Sequence, residues 1–204
     1  MISQAFECPS CGAPIEKRTP GARSLVCSYC GQTSHLNASS LEAAGEKQML
    51  IDYGSVLKIG DTGTFDGREF FVLGKLRIDY EDGFWDEWYI NYVDNGEPAW
   101  IQEDDGAFTI FSRVGEPEQH ARFENYQVGG YAPVSNFPDP MFVTSKARAK
   151  VNGGEGELPF KIIPGDPADF VEGIMGGKVV SIELLPDDSA IFVGSPFELS
   201  ALGY

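Results

Sequence analysis

The chain has 204 residues, 42% of them hydrophobic and 12% aromatic, enough apolar content for one core or two small ones, which excludes disorder throughout and a scaffold held by disulfides alone. Its 31 acidic and 15 basic side chains leave a formal charge of −16, which repels phosphate backbones at long range and disfavours nonspecific nucleic-acid binding. Twenty-four glycines and 13 prolines, with no long periodic segment, predict a mainly β chain of short elements joined by turns.

Residues 1–7 lack the basic start and apolar run of a signal peptide, so the chain is expected to begin where it is written. No stretch nears the roughly 18 apolar residues of a spanning helix, and no transmembrane segment is expected. All four cysteines fall within the first 30 residues, as in metal sites rather than secreted scaffolds, which points to the cytoplasm. Residues 1–36 carry a net charge of +1 and the remainder −17. That shift predicts a ribbon over 1–36, a linker over 37–52, and β units over 53–123 and 124–204. In the linker, Ser39-Ser40-Leu41-Glu42-Ala43-Ala44 predicts one short capped helix.

The first unit reads as a meander. Strands are predicted at 57–59, 64–65, 68–73, 76–80, 85–93, 99–102 and 107–113, with turns at Asp66-Gly67, at Asp94-Asn95-Gly96-Glu97 and at Glu103-Asp104-Asp105-Gly106. The second unit echoes it: Tyr126-Gln127-Val128-Gly129 resembles Leu57-Lys58-Ile59-Gly60, a long strand is predicted over 141–150, and a closing hairpin over 178–193 turns at Pro186-Asp187-Asp188. An internal duplication would explain the echo and stays open at this point. Residues 153–160 read as an irregular glycine-rich loop, and 169–175 as one helical turn. The expected architecture is barrel- or sandwich-like.

Cys8-Pro9-Ser10-Cys11-Gly12 and Cys27-Ser28-Tyr29-Cys30-Gly31 are two Cys-x-x-Cys-Gly knuckles. The short spacer lets both thiolates of a knuckle reach one metal, and two knuckles close a tetrahedral site with no open position, hence a structural one. A ribbon this short buries too little to fold alone, so the metal supplies its folding energy. Zinc is the expected metal; iron in the same cage and redox chemistry remain alternatives. His35 reads as a bystander, since four thiolates already fill the shell.

The densest aromatic run is Gly83-Phe84-Trp85-Asp86-Glu87-Trp88-Tyr89-Ile90-Asn91-Tyr92. In a strand, Trp88, Ile90 and Tyr92 share one face and Trp85, Glu87 and Tyr89 the other. One face must be core. The second is either core as well or an exposed aromatic and acidic surface for a partner or ligand, formed by Trp85, Asp86, Glu87, Trp88 and Tyr89 together with Glu157, Leu158, Pro159 and Phe160. Asp86, Glu87 and Glu103 as a catalytic carboxylate set compete with the ordinary reading of acids solvated at turns.

Known catalytic templates fail. A Ser-His-Asp arrangement would need His120, and no Gly-x-Ser-x-Gly elbow exists. Gly173-Ile174-Met175-Gly176-Gly177-Lys178-Val179 is one residue short of a phosphate loop and lacks its hydroxyl residue, which leaves a glycine-rich turn. Catalytic residues are therefore expected to be none.

The ribbon start, Ile59-Gly60-Asp61-Thr62-Gly63, residues 70–74, Trp85-Asp86-Glu87-Trp88-Tyr89, Trp100-Ile101, Gly156-Glu157-Leu158-Pro159-Phe160 and the closing hairpin together resemble the bacterial family of domain of unknown function 4178, commonly preceded by a zinc ribbon. The resemblance implies a β-rich fold of two related halves and carries over no catalytic residue. Family members look as if they travel with phage-shock-protein-A-like membrane-remodelling proteins and polyamine-synthesis enzymes, which implies an accessory role near a membrane. The chain departs from the expected glycine turn at Asn136-Phe137-Pro138-Asp139-Pro140. Two functions follow as expectations. The first is an adaptor that binds a basic or membrane-associated protein; the second is a small-molecule binder or enzyme with a pocket between the β halves, for which a polyamine is the test ligand. No nucleic-acid partner is expected.

Overall fold

A computed structural model describes residues 4–118, 122–186 and 189–202. The ribbon holds β1 (Gln4–Glu7), β2 (Pro14–Lys17), β3 (Ser24–Val26), β4 (Thr33–Asn37) and β5 (Ser40–Ala43). Then come β6 (Thr62–Phe65), β7 (Arg68–Tyr80), β8 (Gly83–Tyr92), β9 (Pro98–Asp104) and β10 (Ala107–Gly115). The last group is β11 (Tyr131–Ala132), β12 (Met141–Ala147), β13 (Ala149–Leu158), β14 (Asp169–Met175), β15 (Lys178–Leu184) and β16 (Ala190–Phe197). Among the described residues there is no α-helix, only two short 3₁₀ turns.

Every strand pairing is antiparallel. β1 and β2 form their own pair. The others make one sheet in the order β11-β12-β14-β15-β16-β10-β9-β8-β7-β13-β3-β4-β5, with β6 on β7. Its end strands, β11 and β5, do not pair with each other, so the sheet is open and not a closed barrel. Pairing crosses the boundaries near 36 and 123, through β3 on β13, β7 on β13 and β10 on β16.

Two expected helical segments are strands. Residues 40–43 pair with β4 through a tight turn at Ala38 and Ser39, and six residues are too few to repay helix nucleation. Residues 169–175 bury Asp169, Val171, Gly173 and Met175 in alternation, a period of two that only a strand presents to a core. The expected loop at 153–160 is also largely strand: β13 runs through it, paired on both edges. Residues 57–59, expected as a strand, lie outside one, and Leu57 plugs the core below Phe70. The hairpin turns at Asp66-Gly67 and Asp105-Gly106 hold as read, while Asp187 and Asp188 of the expected closing turn lie outside the described residues. Asp66 and Gly67 have φ of 50° and 75°, and Asp105 and Gly106 46° and 80°, the left-handed pair that a two-residue hairpin needs. Asn136 adopts φ 70°, doing the work of the missing glycine.

The echo between the halves extends to individual hydrogen bonds. The Gly60 amide donates to the Val72 carbonyl and the Val72 amide to Asp61; in the second half Gly129 donates to Val143 and Val143 to Gly130, all at 2.9 Å. Both β7 and β12 have an irregularity just beyond that valine, at Val72/Gly74 and Val143/Ser145. Ile101 faces Ile110 across β9 and β10 as Ile182 faces Ile191 across β15 and β16. The units join through equivalent strands, and their register is symmetric about the Ser112–Val193 pair: Phe111 faces Gly194 and Arg113 faces Phe192. Each unit has its own small core, one around Val72, Ile90 and Ile101, the other around Val143, Val171 and Ile182. A third core, with Leu76, Trp85, Trp100, Phe111, Leu158 and Phe192, is shared between them. β13 has no counterpart in the first unit; it is the strand that carries the ribbon.

Candidate metal centre and aromatic cleft

Both knuckles are tight turns between paired strands. The Gly12 and Gly31 amides donate to the Cys8 and Cys27 carbonyls, each at 2.9 Å, and both glycines sit in the left-handed region. The four sulfurs all lie within 4.8 Å of one another. Cys8 Sγ is 3.8 Å from Cys30 Sγ and Cys11 Sγ 3.7 Å from Cys27 Sγ, matching the roughly 3.8 Å edge of a tetrahedron whose metal–sulfur bonds are about 2.3 Å. Burial acts to raise the Cys8 thiol, but the Ser10 and Cys11 amides outweigh it and lower it to about 7. The Ala13 amide acts to lower the Cys11 thiol, yet its neighbours Cys30, Cys8 and Cys27 help push it up to about 12. A cation at the centre is what lets four such thiols ionise together. The donor set and its spacing therefore fit a bound metal ion. His35 is elsewhere engaged, with Nε2 2.9 Å from the Ile162 carbonyl oxygen.

The ribbon is anchored by the Gly-Glu-Leu-Pro-Phe segment. Glu157 is buried and accepts from the Thr19 amide at 3.1 Å, from Thr19 Oγ1 at 3.0 Å and from the Arg18 amide, while Leu25 lies opposite it across β3 and β13. Burial still pushes its carboxyl above the ordinary range, against those hydrogen bonds. Glu157 and Leu158 are thus joints between ribbon and sheet, not surface.

The expected exposed face of β8 is absent. Trp85, Glu87 and Tyr89 are only 6%, 7% and 4% exposed, because the shared core covers one face of β8 and the first unit's own core the other. Asp86 and Glu87 are not solvated turn acids either. Asp86 takes both Nε and Nη2 of Arg77 at 2.7 Å and Lys75 Nζ at 2.9 Å. Arg77 also donates to the Ile51 carbonyl at 2.8 Å and lies 4.2 Å from the Phe84 ring centre; Lys75 lies 4.7 Å from that of Trp88. Glu87 accepts from Trp85 Nε1 at 2.7 Å, and burial lifts its carboxyl to about 7. Glu103 accepts from Ser55 Oγ and Trp88 Nε1. Each acid of the supposed catalytic set has a structural partner. His120 lies outside the described residues.

One part of the predicted surface does converge on open space. Tyr89 from β8 and Pro159 and Phe160 after β13 line a cleft of about 540 Å³, with Trp100, Phe192, Pro98, Arg23, Arg113 and Lys161. It draws on the ribbon and both β units. Its volume lies within the roughly 300–1,000 Å³ of ordinary ligand sites. Trp100 lies between Tyr89 and Phe160, tilted against both at 42° and 33°, with ring-centre distances of 4.9 and 5.8 Å. Tyr89 and Trp100 are both more than nine-tenths buried, but Tyr89 Oη and Trp100 Nε1, which have no protein hydrogen-bond partner among the described residues, reach solvent. Burial first, then the charge of Glu157, pushes the Tyr89 phenol up to about 12. The lining contains three cations and no carboxylate, the wrong sign for a polyamine.

Sequence reading missed Lys75 and Arg77, although the Glu81-Asp82 turn sets Tyr80 opposite Gly83 and hence Arg77 opposite Asp86. It also missed Arg23, Trp100, Arg113, Lys161 and Phe192 as cleft residues. No local signal joins them, because six segments meet there only in the folded chain.

The sequence profile of the family described as a domain of unknown function, DUF4178, matches residues 58–195. That is more than half of the chain, and the chain belongs to this family; the ribbon lies outside the match. No curated protein and no solved structure matches the chain.

Proposed function

We propose that this DUF4178 chain is a binding module: a zinc-braced ribbon fixed to a β repeat, which together hold an aromatic cleft for a small molecule. Zinc is favoured because a closed four-thiolate tetrahedron serves structure and leaves no position for a substrate. Ribbon and cleft share one connection. Glu157 holds the ribbon, and Pro159 and Phe160, two and three residues further on, form a cleft wall.

The observation that carries the reading is a pair of aromatic side chains, Tyr89 and Trp100, whose bodies are buried while their polar tips, without protein partners, reach solvent in the cleft. Tips that reach solvent within a concave site are available to the polar groups of a ligand. Nor does the repeat itself require aromatic residues at these positions. Glu172 and Ser181 are the second-unit equivalents of Tyr89 and Trp100 by the register around Val72 and Val143. An adaptor docking through β8 would need a face that is buried, whereas a ligand entering the cleft meets Tyr89, Trp100 and Phe160 directly.

The test is a ligand-detected magnetic-resonance screen of small aromatic fragments against the metal-loaded chain and its Phe160→Ser variant. Phe160 is half-buried at the cleft wall and packs on the edge of the shared core, so the variant is compared once its thermal unfolding matches that of the wild type. Fragments that bind the wild type and lose their signal with the variant support the reading. Equal signals with both proteins place the binding elsewhere, and no binding by any fragment removes it.

A further inference from the structure

We infer that the cleft selects a small organic anion with an aromatic or apolar body, such as an aromatic carboxylate; this rests on the binding reading above. The whole chain has about two acids for every base, yet the charged residues lining the cleft are Arg23, Arg113 and Lys161, with no Asp or Glu. They come from three separate places. Arg23 directly precedes β3, Lys161 directly follows Phe160, and Arg113 of β10 faces Phe192 of β16. Arg113 keeps a 3.4 Å pairing with Glu116. Arg23 and Lys161 form no ion pair among the described residues, although acids outnumber bases across the chain.

The uncharged polar groups point the same way. Trp100 Nε1 can only donate a hydrogen bond, and the Tyr89 hydroxyl, which burial keeps protonated, can donate one as well as accept one. Arg and Lys offer donors alone. The cleft therefore presents cations and donors around aromatic walls, and its complement is a group that carries negative charge and accepts hydrogen bonds, attached to a flat apolar body that stacks on Trp100 and Phe160. A polyamine brings positive charge to a lining whose three charged side chains are already cations.

The test uses the metal-loaded full chain and three probes that share one ring system: naphthoate, naphthylmethanol and naphthylmethylammonium. Titration calorimetry at low salt should show naphthoate binding about tenfold more tightly than the alcohol, the ammonium most weakly, and the carboxylate's advantage shrinking as salt is added. The double variant Arg23→Gln, Lys161→Gln should bring naphthoate to the affinity of the alcohol and leave the alcohol unchanged. Both residues are exposed, so the fold is not at stake. Equal binding of acid and alcohol by the wild type, or preference for the ammonium, overturns the anion assignment and leaves a cleft that binds. A carboxylate preference that survives the double substitution also overturns it, because the charge would be read elsewhere. Absence of binding by all three at millimolar concentration removes the binding reading and the anion with it.

Discussion

Glu87 is a carboxyl enclosed between the sheet and the shared core, opposite Leu76 on β7 and Gln102 on β9. Burial lifts it from an ordinary 4.5 to about 7, with Glu172 and Asp86 adding to the rise and the Trp85 indole opposing it. Below about 4.5 the group is protonated in both the folded and unfolded chain. Between there and about 7 the unfolded chain releases the proton while the folded one keeps it, so stability falls as pH rises; above about 7 the whole cost is present. A displacement of this size corresponds to a cost on the order of 3 kcal/mol. Glu87→Gln preserves the shape and an acceptor for Trp85 Nε1 but cannot ionise. At pH 4 the variant should match the wild type, and at pH 8 exceed it by on the order of 3 kcal/mol, or roughly 6–12 °C in Tm for a chain of this size. Urea unfolding at a series of pH values measures the difference. Asp104, Glu155, Glu157 and Glu172 are also raised by burial, but their own contributions largely cancel between the two proteins. A difference that stays flat from pH 4 to 8 would refute the reasoning, since it would mean that Glu87 does not hold its proton in the fold.

Removal of the metal should unfold the ribbon first. Lys17, Arg18 and Arg23 are the only tryptic sites in residues 1–36, so chelation, or the double variant Cys8→Ser, Cys30→Ser, should open cleavage there while metal analysis falls from one ion per chain to none. Unchanged cleavage would show that β3–β13 pairing and Glu157 suffice without the ion. Gly74 tests how closely β7 approaches β13: a Cβ there would stand 2.0 Å from the Glu157 carbonyl oxygen, so Gly74→Ala should cost about 3 kcal/mol or more by forcing two backbones apart. Gly67→Ala is the control, with open space around its Cβ and a φ of 75°, and should cost only about 1–2 kcal/mol. Similar losses in both by chemical denaturation would contradict the close approach.

The contrast between these glycines explains much of what the chain order could reveal. At Asp66-Gly67, Asp105-Gly106 and Gly176-Gly177, glycine serves a local turn, so neighbouring residues suffice to read it. At Gly74, Gly154 and Gly156, glycine serves an approach between strands distant in sequence: Cβ atoms there would meet backbone oxygens of Glu157, Lys75 and Leu73 at 2.0, 3.0 and 2.3 Å. Locally, such a cluster looks like a loop; in the fold it is a central strand. The helical reading of residues 39–44 failed similarly, since the partner that makes a strand of them is β4 and no propensity encodes it.

By itself the sequence determined the β class, the hairpin turns, the repeat echo and the four-cysteine cluster, because each depends on residues a few positions apart whose geometry is set by backbone sterics or by metal-ligand reach. The tertiary structure alone decided that β8 is covered on both faces, that Asp86 is matched by Lys75 and Arg77, and that a cation-lined cleft opens in an acidic chain. Those features depend on burial and on contacts among the ribbon and both units, and a side chain's surroundings are not a property of its neighbours in sequence.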